Sequence, residues 1–120
     1  MILSVNVRIE YDNKIITELI GDSEISLKII SILNKCIIKE INLPFYCFVI
    51  SLIDKKGVFL FGGASNDFKI YNKDNYENIQ TIKNSHIESI LGFIELKNGT
   101  IASYGDNGII NIWSFNKIDL

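Results

Sequence analysis

The sequence predicts an all-β chain built from repeated units of short antiparallel strands. Three observations carry that prediction. The chain has 120 residues, 48% hydrophobic and 22% charged, a globular composition that suits one small domain. Its apolar runs are short, rich in isoleucine and separated by turn residues, as strands joined by tight turns require. The ends of three such runs recur at a nearly fixed interval. Ile30 in "LKIIS", Tyr71 in "FKIYN" and Trp113 in "INIWS" are 41 and 42 residues apart, and self-similarity of this kind marks a repeat architecture.

The elements follow in order. In the first unit (1–42), Tyr11–Asn13 and Gly21–Glu24 are turns that flank "KIIT" and precede "LKIIS". "CIIKEI" from Cys36 supplies a fourth strand. The second unit (43–84) repeats the plan. "DKKG" and "GASND" are its turns, "VFLF" lies between them, and "FKIYN" and "NIQTI" come after. In the third unit (85–120), "LKNGT" carries Asn98-Gly99, a strong hairpin signal because both turn positions favour positive φ. "TIAS", the turn "GDNG" and "IINIW" complete three strands, and the unit is cut short there. The second strands begin at Lys14, Val58 and Thr100, at intervals of 44 and 42. The longer first interval is assigned to a longer turn over residues 18–26. "EISLKIISILNKCIIKEI" admits a buried helix, but its β-branched residues and its phase favour strand–turn–strand. Four short strands per repeat of about 40–45 residues are the signature of a propeller blade.

Composition excludes several classes. The net charge is −2 and no basic stripe appears, which argues against nucleic-acid partners. Cys36 and Cys47 have one histidine for company, too few ligands for a structural zinc site of about four. Two buried free thiols in a reducing compartment are expected. Arg8 and Glu10 interrupt the N-terminus before a signal sequence forms. The longest stretch without charge, residues 41–53, has thirteen residues, short of the roughly 20 that cross a membrane. "FGGAS" lacks the Gly-Lys-Ser/Thr ending of a phosphate loop, and "NGT" is explained by its hairpin rather than as a glycosylation acceptor. No metal and no cofactor is expected.

The third unit resembles a WD40 repeat. Ser85-His86 stands where that family carries Gly-His, and "IASYGDNGIINIWS" stands for the closing half, with Ser114 in place of the final Asp. The second unit resembles it less, with Tyr71-Asn72 at the Trp-Asp position, and the first least, with Ile30-Ser31 there. "LNKC" from Leu33 resembles the usual turn into the outer strand. The resemblance implies a partial β-propeller of three four-stranded antiparallel blades, the third truncated. It also implies a buried hydrogen-bonded chain of His86, Ser103, an acidic turn residue and Trp113. The acidic position, six before Trp113, falls on Asn107, with Asp106 beside it as the alternative acceptor. Indole can only donate, while hydroxyl and neutral imidazole can relay, so such a chain satisfies its buried polar atoms. Trp113 is accordingly expected to be largely buried. Ser103, His86 and Asp106 could also be read as a catalytic triad. That reading needs an exposed serine on a strained turn, whereas Ser103 falls inside a predicted strand. Tyr46, Glu88, Tyr104 and Asp106 fall in or beside loops that would line one rim, where they are candidates for binding a partner.

The reading that results is a non-catalytic interaction module for proteins or peptides, intracellular and cytoplasmic, with a nuclear location also open. The alternative is a fragment of a propeller hydrolase or the regulatory tail of a split enzyme gene. Blades bury their faces only against neighbours, and propellers usually have four to eight. The chain is therefore expected to be part of a longer propeller or to close its ring by self-association.

Overall fold

The computed structural model describes residues 2–21 and 25–114. Among them, eleven strands form three antiparallel sheets, each a simple meander. The first holds β1 (Ile2–Tyr11), β2 (Lys14–Gly21), β3 (Ile25–Ser31) and β4 (Cys36–Asn42), in that order. The second holds β5 (Cys47–Ile53), β6 (Val58–Gly63), β7 (Phe68–Asn72) and β8 (Asn78–Ile82). The third holds β9 (Ile90–Glu95), β10 (Ile101–Gly105) and β11 (Ile110–Trp113). The all-β class and the four-stranded antiparallel plan expected from the repeat are what the structure shows. The chain divides into two compact units, Met1–Cys47 and Phe48–Leu120.

In the first unit, Asp12 and Asn13 both have positive φ, 45° and 60°, and Tyr11 pairs with Lys14 across them. Two successive positive-φ residues match the strand twist and fix a two-residue hairpin. The next connection corrects the sequence reading. Most of the turn expected over 18–26 is strand, with Glu18 opposite Leu27, Leu19 opposite Ser26 and Ile20 opposite Ile25. The extra length of the first repeat therefore lies in a longer hairpin. Ile16, Leu27 and Ile29 share one fully buried face with Glu18. The Glu18 carboxylate accepts the backbone N–H of Cys47, a charge-assisted bond that offsets its desolvation. On the opposite face, Lys28 and Glu40 form a cross-strand ion pair at 2.7 Å.

The isoleucine-rich run is strand–turn–strand. Ser31 Oγ accepts the N–H of Asn34 at 3.0 Å, and Lys35 takes φ 55°, so the backbone reverses before β4. That strand is the outer one and most of its residues are exposed. Cys36 is exposed with them while Cys47 is buried, and both are free thiols. Two buried thiols were expected. An outer strand covers only one edge of its sheet, which leaves Cys36 in solvent.

In the second unit, β6 is buried on both faces. Alternation sends Val58 and Leu60 one way and Phe59 and Phe61 the other. Phe59 stacks with Tyr71 at 5.5 Å between centroids, and Phe61 meets the same ring tilted, at 5.0 Å. Val58 and Leu60 join Ile53, Phe68 and Ile70 in a core completed by Ile90 and Ile101 of the third sheet. Phe68 meets the rings of Phe93 and Trp113 edge-on at 5.1 and 5.5 Å, the arrangement that ring quadrupoles favour. Trp113 packs against this core and is partly exposed. It lies on β11, which has no outer neighbour among the described residues.

The turns of this unit repeat one device. Gly99 N–H donates to Leu96 O at 3.0 Å with Gly99 at φ 83°, and Gly108 N–H donates to Gly105 O at 3.2 Å with Gly108 at φ 83°. Only Gly99 of the Asn98-Gly99 pair has positive φ. The hairpin expected to have two such residues is instead a four-residue turn closed by one glycine.

Candidate functional site

The third sheet and the segment leading into it hold the residues that chemistry singles out. Trp113 Nε1–H donates to Ser103 Oγ at 2.8 Å. Ser103 Oγ lies 2.7 Å from His86 Nε2. Strand register explains the first contact, because Trp113 pairs with Ile101 and sits diagonally across from Ser103. Ser103 is fully buried within β10 and His86 nearly so. Since the indole can only donate, the hydroxyl oxygen accepts from it, and the same hydroxyl is hydrogen-bonded to His86 Nε2. Burial holds the His86 pKa below the ordinary value, partly opposed by a hydrogen bond with the Ser103 backbone.

The far end of this relay departs from expectation. His86 Nδ1 is buried and has no hydrogen-bond partner among the described residues. Asn107 Oδ1 instead accepts the N–H of Ile109 at 3.2 Å. A short polar side chain closing its own turn competes with any longer-range partner. Asp106, the alternative acceptor, faces Glu88. A side-chain hydrogen bond with Asp106 raises the Glu88 pKa, helped by the like charge and by slight desolvation. The structure thus joins His86, Ser103 and Trp113, and places Asn107 and Asp106 outside that chain.

Of the rim candidates, Glu88 and Asp106 meet as a carboxyl pair. Tyr104 pairs with Gly92, and a Cβ built on Gly92 would fall 2.1 Å from the Tyr104 hydroxyl. Its ring therefore covers the glycine across the strands, a packing role. Tyr46 is exposed and belongs to the first unit.

The segment before His86 is tied to the second sheet. Asn66 O accepts the N–H of Ser85 at 2.8 Å, the Ser85 hydroxyl at 2.8 Å and the N–H of His86 at 3.2 Å. Asn84 N–H donates to Asp67 Oδ1 at 2.8 Å, and the Asn111 side-chain amide donates to Ser85 O. Beside this junction is a groove of about 490 Å³, lined by residues that include Asn66, His86, Ile87, Ile109 and Asn111. Sequence reasoning missed Asn66, Asn111 and Gly105. Gly105 lets the chain pass where a Cβ would lie 2.8 Å from Ser89 O and 3.2 Å from His86 Nδ1. Its place before "DNG" was visible, but the close approach is a tertiary fact. Among the described residues, no three His, Cys, Asp or Glu side chains are grouped to hold a metal ion.

No protein-family model and no curated protein matches the chain. Among solved structures it is similar to the WD40 β-propeller domain of Doa1, at 16% identity and a TM-score of 0.65, over 97% of this chain and 51% of that one. The chain spans about half the length of that structure. At this identity the likeness is one of fold. With antiparallel sheets of four, four and three strands, the chain has the fold of a partial WD40 β-propeller.

Proposed function

We propose that the chain is a non-catalytic interaction module, presenting loops of a WD40-type scaffold to proteins or peptides as part of a longer propeller or a larger complex. One observation carries this reading. The residues best suited to nucleophilic chemistry, Ser103 and His86, are buried and bonded to Trp113 and to each other. A nucleophile must reach its substrate, and Ser103 is fully buried. What remains at the surface is loops on a rigid β framework, the arrangement that suits recognition. Self-association belongs to the same proposal, as does an intracellular setting suited to an exposed free thiol at Cys36.

The test is affinity capture on the immobilised chain, with retained proteins identified by their peptides. Specific retention that excess free chain competes away, and that a heat-unfolded control lacks, supports the proposal. Turnover of generic esters or phosphoesters, abolished by His86→Ala in a folded variant, overturns it in favour of a hydrolase.

A further inference from the structure

The second and third sheets present the same turn at the same place. In each, the turn between the first and second strand carries a lysine, and Lys55 and Lys97 are 42 residues apart, one repeat. Both are exposed, as is Lys56. The packing of the two sheets brings these turns to one groove of about 520 Å³, where Lys55, Lys56 and Lys97 converge with Glu95, Leu96 and Asn98. Lys55 and Lys97 set two ammonium groups against the one carboxylate of Glu95, which makes this groove positive on a chain whose net charge is −2. The neighbouring acid does not neutralise it, because Lys73 Nζ engages Asp54 Oδ1 at 2.9 Å. Asn98 adds donors. Its Oδ1 already accepts from Thr100 N–H and from the Thr100 hydroxyl, so its amide N–H₂ is what it offers a ligand.

We propose that this groove is a docking site for an acidic peptide segment, laid across the two turns so that carboxylates meet Lys55 and Lys97 in successive repeats. The inference rests on the reading of the chain as an interaction module and names the chemistry of one partner. Charge complementarity selects the occupant, and Leu96 gives an apolar contact between the charges. Duplex nucleic acid fits less well. Phosphate-driven binding draws on about six to ten cationic contacts, more than this groove supplies. Among the described residues, no aromatic side chain lines it on which a single-stranded base could stack.

The experiment is fluorescence anisotropy on the whole chain with a labelled Glu-Ser peptide, an otherwise identical Gln-Ser peptide and a single-stranded oligonucleotide. The acidic peptide is expected to bind, to weaken at least about tenfold in Lys55→Glu/Lys97→Glu, and to weaken as salt screens the charges. Circular dichroism checks that this variant, altered only at exposed turn positions, keeps its fold. Lys83→Glu, a change at an exposed lysine outside the groove, should bind as the wild type does. Absence of binding, equal binding of the Gln-Ser peptide, or tighter binding of the oligonucleotide overturns the proposal. Capture of partners that is undiminished in the double variant also overturns this site, while the interaction-module reading stands. Loss of all capture by the wild-type chain sinks that broader reading instead.

Discussion

At the scale of residues, His86 and Glu88 make opposite demands on pH. Burial lowers the His86 pKa, so the unfolded chain takes up a proton first as pH falls. Stability from the neutral imidazole is present above its ordinary value of 6.5 and is lost as pH falls through the lowered folded value. Urea midpoints should therefore drop on acidification below about pH 6.5 more steeply in the wild type than in His86→Gln. Parallel curves would contradict this. Glu88 has a raised pKa because of its side-chain hydrogen bond with Asp106 and the like charge there. Its contribution is present below the ordinary 4.5 and is lost as pH rises through the raised value. Glu88→Gln should raise the midpoint at neutral pH and leave it unchanged in acid. An identical midpoint at neutral pH would show that solvent screens the pair completely. His86, Ser103 and Trp113 were legible through the resemblance to a WD40 repeat, and strand register explains why Trp113 meets Ser103. The acceptor was not legible, because Asn107 could close its own turn or reach for His86, and only turn geometry decides between the two.

At the scale of elements, the strands were legible and the places where they touch were not. Repeats near 42 residues located all three sheets, since turn residues punctuate runs of isoleucine and valine. Residues 18–26 were misread because Glu18, Gly21 and Asp22 look like a turn. Glu18 is in fact inside a strand, its carboxylate held by the N–H of Cys47. No local pattern announces a buried glutamate whose partner lies 29 positions away. The same limit applies to Gly105. Gly105→Ala should cost about 1–3 kcal/mol, because a backbone carbonyl and a buried ring must both shift. Gly99→Ala meets nothing within 4 Å and should cost only about 1 kcal/mol for its positive φ. Denaturant midpoints for the two variants check this order, and equal losses would contradict the crowding argument. Phe68→Ala should be worse than either, at about 3–5 kcal/mol, because the ring is fully buried and fills the space between the second and third sheets.

At the scale of the whole molecule, the third sheet carries the prediction of self-association. Among the described residues, β3 and β7 each have an outer neighbour and β11 has none. Ile110 and Ile112 on that strand are 65% and 59% exposed. An open, apolar edge templates pairing with another chain. Light scattering coupled to size-exclusion chromatography should find species larger than 13.6 kDa, or material lost to precipitation. A monodisperse monomer melting cooperatively would show that these sheets suffice alone. The central claim is that the residues resembling catalytic machinery fasten β11 and the His86 segment to the third sheet. A double-mutant cycle in equilibrium denaturation tests it most directly, using Trp113→Phe, Ser103→Ala and the pair. Each single change should cost about 1–3 kcal/mol, with a coupling of about 1 kcal/mol, because both remove the same hydrogen bond. An unchanged midpoint and slope in Trp113→Phe, or strictly additive losses, would contradict the account.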